Sequence, residues 1–283
     1  GVDFSIALAH AMSTIGTCGF STYDDSTMHF HNLPFELWTA LFMFLAGGSF
    51  SLYYRAYIKG PAVILRNAEF RTYLGIVFTA MLLIALNLIL SMGMDGDMAA
   101  RVAVFQVTSL STTGFVSADF ETWPTFSKMV LLLLMVIGGC AGSTASGIKV
   151  ARLILLVRNA RAVVLQKLNP NRVVDITLTG AHVDGAMLMR VGTFFFLYLA
   201  VIFVTAFLLA MDGLLPFDAV AVAITTIGNI GPAFGIVSAT STYAPLSDFS
   251  KAILCLTMLL GRLEIFTLLI LLQPSFWRRT YRW

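Results

Sequence analysis

Three stretches of this 283-residue chain set small hydroxyl-bearing side chains beside a glycine. They are Ser13-Thr14-Ile15-Gly16-Thr17-Cys18-Gly19-Phe20, Ser111-Thr112-Thr113-Gly114-Phe115 and Thr225-Thr226-Ile227-Gly228-Asn229-Ile230-Gly231-Pro232. Aligned on Gly19, Gly114 and Gly231, they recur at intervals of roughly a hundred residues, the signature of an internal repeat. Glycine allows positive φ and carries no side chain, so successive carbonyls can turn toward one axis while Thr hydroxyls add further oxygen. The chemistry such a set offers is cation coordination, with a ring of oxygens replacing the hydration shell of an ion such as potassium.

The elements that position these loops follow from the flanking sequence. Each is preceded by an Asp (Asp3, Asp97, Asp218) suited to cap a helix and by an apolar run of about a dozen residues, too short to span a bilayer and long enough for a re-entrant helix. Such a helix aims the partial negative charge of its C-terminus at the loop, where a cation gains from it. A polar loop and a longer apolar helix follow. The unit is spanning helix, short re-entrant helix, glycine-bearing loop, spanning helix.

Composition agrees with a membrane setting. The chain is 58% hydrophobic and 12% charged, against about 25% charged for an average soluble domain. The stretches 37–54, 72–93, 129–148 and 191–211 hold no Asp, Glu, Lys or Arg, and 252–272 holds only Arg262 and Glu264. Each approaches the ~20 residues that a helix needs to cross the hydrocarbon. Most of the 18 Lys and Arg fall in three places: Arg55 to Arg71, Arg152 to Arg190 and Arg278 to Arg282. The positive-inside rule assigns these segments and the C-terminus to the cytoplasm, and the net charge of +3 calls for no nucleic acid partner. Acids such as Asp24, Asp25, Asp95, Asp119 and Asp248 lie in or beside the opposite loops and form an acidic outer rim.

Cys18, Cys140 and Cys255 are widely spaced and predict no disulfide framework. His10, His29, His31 and His182 have no ligand spacing and read as loop or packing residues. Trp38, Trp123, Trp277 and Trp283 flank apolar runs as an interfacial belt does. There is no basic n-region before the first apolar run, and the chain opens inside an element, which reads as a fragment. No HExxH, paired membrane acids or Ser/His arrangement supports an intramembrane enzyme, and no glycine-rich motif binds nucleotide.

Two features lie below the loops. Residues 138–147 interrupt an apolar run with Gly138, Gly139, Gly142 and Gly147 plus Ser143, Thr144 and Ser146, a composition that breaks a helix near mid-membrane. Arg262 and Glu264 stand in the middle of an apolar helix, where a charge marks a paired or functional site. Separated by two positions, they face different ways and do not pair with each other. Two roles stay open for Arg262: reaching the axis to hold the 138–147 loop through its carbonyls, or a structural tie between helices. Lys149, just past that loop, is expected to snorkel to the cytoplasmic side.

Together these residues resemble the Trk/Ktr/HKT superfamily of potassium transporters, above all its bacterial TrkH branch. The most specific pieces are Ser111 to Phe115, Gly138 to Thr144, Asn229 to Pro232 and Gly261-Arg262-Leu263-Glu264. The resemblance implies an all-α membrane protein with four repeats in a pseudo-fourfold, potassium-channel-like pore. Residues 1–56 would be part of the second repeat, 72–165 the third and 186–273 the fourth, joined by cytoplasmic connections at 57–71 and 166–185 and closed by a cytoplasmic tail at 274–283. The first repeat would be absent, so the chain could not close the ring alone.

The resemblance further implies a potassium filter at Thr17, Cys18, Gly19, Thr112, Thr113, Gly114, Asn229, Ile230 and Gly231. It implies a gate at Gly138, Gly139, Gly142, Ser143, Thr144 and Gly147, opposed by Arg262. Cys18, and Ser146 where the family loop often has Gly, depart from the pattern and bear on selectivity. The implied activity is potassium uptake across the bacterial inner membrane, driven by membrane potential, without covalent chemistry or a covalently bound cofactor. The implied partners are the lipid bilayer, a second copy in a homodimer, and a TrkA-type cytoplasmic nucleotide-binding regulatory subunit docked near Arg152 to Arg172. Sodium-coupled uptake, a pore that also passes sodium, and a purely structural subunit are the rival readings.

Overall fold

The computed structural model describes residues 2–170 and 174–277, the side chain of Ser275 excepted. Arg172, Arg278, Arg279, Arg282 and Trp283, which entered the charge and interface expectations, lie outside the described residues.

The chain is helical almost throughout. Short α1 (Phe4–Ile15) leads to α2 (Leu33–Ala46), α3 (Phe50–Lys59), one turn at α4 (Ala62–Arg66) and the long α5 (Ala68–Met92). Next come α6 (Gly96–Thr112), α7 (Thr125–Ile137) and α8 (Val150–Leu168). A two-residue antiparallel hairpin, β1 (Thr177–Leu178) with β2 (Ala181–His182), precedes the long α9 (Gly185–Met211). The chain ends with α10 (Pro216–Gly228), α11 (Asp248–Arg262), α12 (Ile265–Leu272) and the turn α13 (Pro274–Trp277).

Helices α5 and α9, of 25 and 27 residues, are apolar enough to cross a bilayer. At 1.5 Å rise per residue they reach about 37 and 40 Å. Both start at side-chain caps. Phe70 N–H donates to Asn67 Oδ1 at 3.0 Å, and Met187 N–H to Asp184 Oδ1 at 3.0 Å, so a donor orphaned at each helix start is satisfied.

The other expected spans are broken. The run at 37–54 is α2 plus α3, bent by 90° at Gly47-Gly48-Ser49, and the run at 252–272 is α11 plus α12, bent by 111°. Arg262 and Glu264 therefore flank a break instead of sitting inside one helix, with Arg262 ending α11 and Glu264 at φ 58° before α12. The first break has room for glycine alone. A Cβ on Gly48 would lie 1.9 Å from the Tyr53 hydroxyl, and one on Gly47 would lie 2.4 Å from that of Tyr73. The third run, 129–148, ends as a helix at Ile137, as its glycines predict.

Local caps also differ from expectation. Asp3 caps α1, accepting from Phe4 N–H at 2.9 Å, but α6 and α10 start at Asp95 and Leu215. Asp97 and Asp218 fall instead in the first turns, where a carboxylate still favours the helix dipole. Trp123 is buried, because the connection before α7 folds onto the core, whereas Trp38 and Trp277 are exposed.

One large apolar core joins α5, α6, α7, α9, α10 and α11. Inside it lie α6 and α10, the two short helices buried on most faces. The small apolar residues of both, such as Ala99, Ala103, Ala219 and Ala223, let them sit there, and that placement brings the ends of α6 and α10 together.

Candidate functional site

Each of the three short helices stops at a tight turn of the same design. Past α1, Cys18 N–H donates to Ser13 O at 2.9 Å; past α6, Gly114 N–H donates to Ser109 O at 2.9 Å; past α10, Ile230 N–H donates to Thr225 O at 3.0 Å. In each case the bond spans five residues and reverses the chain. Thr17 (φ 50°) and Asn229 (φ 52°) take the left-handed conformation at the turn, a costly choice for side-chain-bearing residues that an over-determined surrounding must hold. Thr17, Thr112, Thr113 and Ile230 are buried, while Cys18 is exposed.

The loops meet in order. A Cβ on Gly19 would lie 2.5 Å from Thr113 O, and one on Gly114 would lie 1.7 Å from Ile230 O. Gly114, at φ 103°, therefore has both a conformation and a neighbour that exclude any side chain. The structure thus brings all nine sequence-predicted loop residues into one cluster in the sequence first loop, second loop, third loop. Between the first and third lies a cavity of 420 Å³ lined by Thr17, Cys18, Gly19, Asn229, Ile230 and Gly231.

The six residues expected in the 138–147 segment also assemble directly below. Gly138 (φ 72°) ends α7 and lies against Gly147, so close that a Cβ on it would meet Ser146 O at 2.3 Å. The backbone groups released by the 90° bend between α2 and α3 are taken up here. Cys140 N–H donates to Gly47 O at 2.8 Å and Phe50 N–H donates to Gly142 O at 3.1 Å. Irregular backbone at membrane depth persists only when buried in protein or lining a cavity, and this pairing meets that condition. Ser143 Oγ donates to Cys140 O at 2.6 Å, and Thr144 Oγ1 donates to Ile15 O at 2.9 Å, tying the segment to the end of α1.

Thr144 is where the upper and lower features join. Its carbonyl accepts from Thr17 Oγ1 at 3.0 Å and from Arg262 Nη1 at 2.9 Å, while Arg262 Nη2 reaches Gly16 O at 3.2 Å. One guanidinium thus spans the 138–147 segment and the first loop. Gly261 makes room for this. A Cβ there would lie 1.9 Å from Ile227 O.

Lys149 does not run to the cytoplasmic side alone; its Nζ lies 3.3 Å from Glu264 Oε1. Arg152 Nη2 donates to Glu264 Oε2 at 2.7 Å, and its guanidinium lies 4.0 Å from the Phe194 ring centroid. The break between α11 and α12 turns Glu264 toward α8, which is why these charges pair. Lys149 and Glu264 border a cavity of 260 Å³ that is also lined by Thr144, Tyr198 and Arg262. The expected docking surface at Arg152 to Arg172 is reduced accordingly, because Arg152 is engaged internally and Arg158 donates to Thr177 O of the hairpin.

Several side chains of the site were given no part in it from sequence. Ser109 Oγ donates to Phe115 O at 2.5 Å and Thr225 Oγ1 to Pro232 O at 2.8 Å, each strapping the carbonyl just past a loop glycine. Glu36, buried on α2, accepts two bonds of 2.7 Å from Arg101 on α6. His10 is buried, with its ring nitrogens 2.8 Å from Ile6 O and 3.0 Å from Ser21 Oγ, and it stacks on Phe115. The hydroxyls carried a signal in their recurrence five or six residues before each glycine. The ion pair carried none, its partners being 65 residues apart. Among the described residues no group of three or more His, Cys, Asp or Glu is placed to hold a metal ion, and the three cysteines are free.

The TrkH family model, described as cation transport protein, matches residues 3–279. The Trk system potassium uptake protein TrkH of Escherichia coli K12 is 34% identical over 282 residues, which is 98% of this chain and 58% of that protein. The TrkH of Vibrio parahaemolyticus is 37% identical over 281 residues, covering 96% of this chain and 57% of that protein. The crystal structure of the potassium transporter TrkH from Vibrio parahaemolyticus matches with a TM-score of 0.89 at 34% identity, covering 96% of this chain and 59% of the other. The chain spans somewhat under three fifths of the length of these relatives.

Proposed function

This chain belongs to the TrkH family of cation transport proteins, and from that premise we propose that it forms part of a pore for potassium uptake. The observation that carries the proposal is the contact series of the three loops, in which Gly19 lies against Thr113 and Gly114 lies against Ile230 at the ends of three short helices. Carbonyls gathered at helix C-termini offer a cation both ligands and partial negative charge. Potassium passes as cargo along Thr17, Cys18, Gly19, Thr112, Thr113, Gly114, Asn229, Ile230 and Gly231, drawn by the membrane potential, with no bond made or broken.

Gly138, Gly139, Gly142, Ser143, Thr144 and Gly147 obstruct the path below those loops. Arg262 holds the obstruction through the Thr144 carbonyl, and its charge repels cations while it stays there. The protein works in the bacterial inner membrane with its C-terminus in the cytoplasm, as a homodimer. A TrkA-type nucleotide-binding subunit releases the obstruction from the cytoplasmic side, on the surface of α8 that keeps Arg161 and Lys167.

Growth rescue tests the proposal. Cells lacking potassium uptake, given the complete gene that encodes this segment, are expected to grow at low potassium. A well-expressed product that fails to rescue would reject potassium uptake.

A further inference from the structure

The three loops are braced to different degrees. In the third, Thr225 Oγ1 donates to Pro232 O at 2.8 Å and accepts from Gly231 N–H at 3.1 Å, while the Tyr243 hydroxyl donates to Gly231 O at 2.5 Å. In the second, Ser109 Oγ donates to Phe115 O at 2.5 Å, and no side-chain donor to the Gly114 carbonyl is found among the described residues. In the first, Ser13 stands six residues before Gly19 as Thr225 stands six before Gly231, yet its buried Oγ has no partner.

Tyr243 is the feature without a counterpart. It comes from the connection between α10 and α11, outside any loop motif, and it lines the 420 Å³ cavity together with Thr225 and Gly231. A carbonyl oxygen has two lone pairs, so a hydroxyl on one leaves the other free and fixes the direction in which it points. Gly231 itself supplies no restraint, since it has φ 110° and nothing within 4 Å of a Cβ position. Without the hydroxyls its peptide plane is free to turn.

Resting on the potassium reading above, we propose that Tyr243 and Thr225 are positioning residues that determine cation specificity by fixing the Gly231 and Pro232 carbonyls. Two physical pictures give the same sign. If selectivity comes from cavity size, a fixed carbonyl cannot close in on the smaller sodium ion. If it comes from the field strength of the carbonyl, a hydroxyl donor draws electron density from the oxygen and weakens its field, which favours the larger, more easily dehydrated potassium ion.

The test uses the complete protein in liposomes, with rubidium and sodium influx measured separately. Tyr243→Phe and Thr225→Val remove the hydroxyls with little change of shape. Each is expected to lower the rubidium-to-sodium flux ratio by about fivefold, the worth of one net hydrogen bond. Thr225→Ser keeps the hydroxyl and is expected to keep the ratio, as is Tyr57→Phe, a deletion at an exposed tyrosine. A purely structural role would reduce both fluxes together and leave the ratio unchanged, and that result in Tyr243→Phe would overturn the proposal. Should Thr225→Val fail to fold, Tyr243→Phe and Thr225→Ser still decide the matter. Wild-type protein without rubidium flux would overturn the potassium reading and this inference with it; wild-type flux with an unchanged Tyr243→Phe ratio overturns this inference alone.

Discussion

Gly114 approaches Ile230 so closely that a Cβ built on it would lie 1.7 Å from the Ile230 carbonyl oxygen. The two residues end different short helices, so their contact measures how tightly the loops are drawn together. Gly114→Ala must push that carbonyl aside and also force alanine to φ 103°. Strain of this kind costs about 1–3 kcal/mol. The expected outcome in the complete protein is loss of most rubidium flux with a thermal midpoint lowered by a few degrees. Flux at the wild-type level would show that the loops do not line the ion path.

Arg262 ties Thr144 O at 2.9 Å to Gly16 O at 3.2 Å. Bonds from a charged donor contribute about 1.5–3 kcal/mol each. Arg262→Ala removes both, together with a positive charge below the loops. Resting flux of the complete protein is expected to rise at least about tenfold, with Arg262→Lys intermediate, because an ammonium cannot reach two carbonyls as a planar fork does. Unchanged resting flux in Arg262→Ala would leave the 138–147 segment without its proposed hold.

Glu36 and Arg101 join α2 to α6 by two bonds of 2.7 Å, with the carboxylate side chain 6% and the guanidinium 32% exposed. Breaking a buried pair leaves an uncompensated charge and costs about 3–5 kcal/mol; the exposure of Arg101 lowers this to about 2–3 kcal/mol. Glu36→Gln is accordingly expected to unfold at lower temperature, with much of the loss recovered in Glu36→Leu/Arg101→Leu. Scanning calorimetry in detergent separates these, and a Glu36→Gln midpoint equal to wild type would contradict the role assigned to the pair.

Asp212, past the end of α9, accepts from Ser247 and, at 2.5 Å, from Ser250. These hydroxyls hold its carboxyl below the usual carboxylate range. A folded pKa below the unfolded one gives stability that is present above the unfolded value and lost as pH falls through the folded one. Stability is thus expected to decline below roughly pH 4, and Asp212→Asn to flatten that part of the profile. An identical acid limb in wild type and Asp212→Asn would exclude this contribution.

The glycine positions of the loops and of the 138–147 segment were legible because composition alone betrays backbone that must leave a helix inside a membrane. That Arg262 must find polar partners was legible too, since a charge in an apolar run needs them, but the sequence left open whether those partners lay in the 138–147 segment or on a neighbouring helix. The bends were harder to read. Gly47-Gly48-Ser49 is a visible breaker, but the apolar residues on both sides hide it, and the hydroxyls that leave no room for a side chain there belong to Tyr73 and Tyr53, distant from the motif or beyond it. The Lys149–Glu264–Arg152 cluster was illegible because Glu264 turns toward α8 only once the helix breaks beside it. The hairpin at 177–182 is too short to show a strand period, although Thr179-Gly180 is a turn signal.

Everything above depends on potassium passing along the clustered loops at Gly19, Gly114 and Gly231. The most direct measurement is rubidium influx into liposomes holding the complete protein, with an excess of external potassium or of sodium as competitor. The expected result is uptake well above empty liposomes, strongly suppressed by potassium and little affected by sodium. Uptake no greater than in empty liposomes, or suppression by sodium equal to that by potassium, would contradict it.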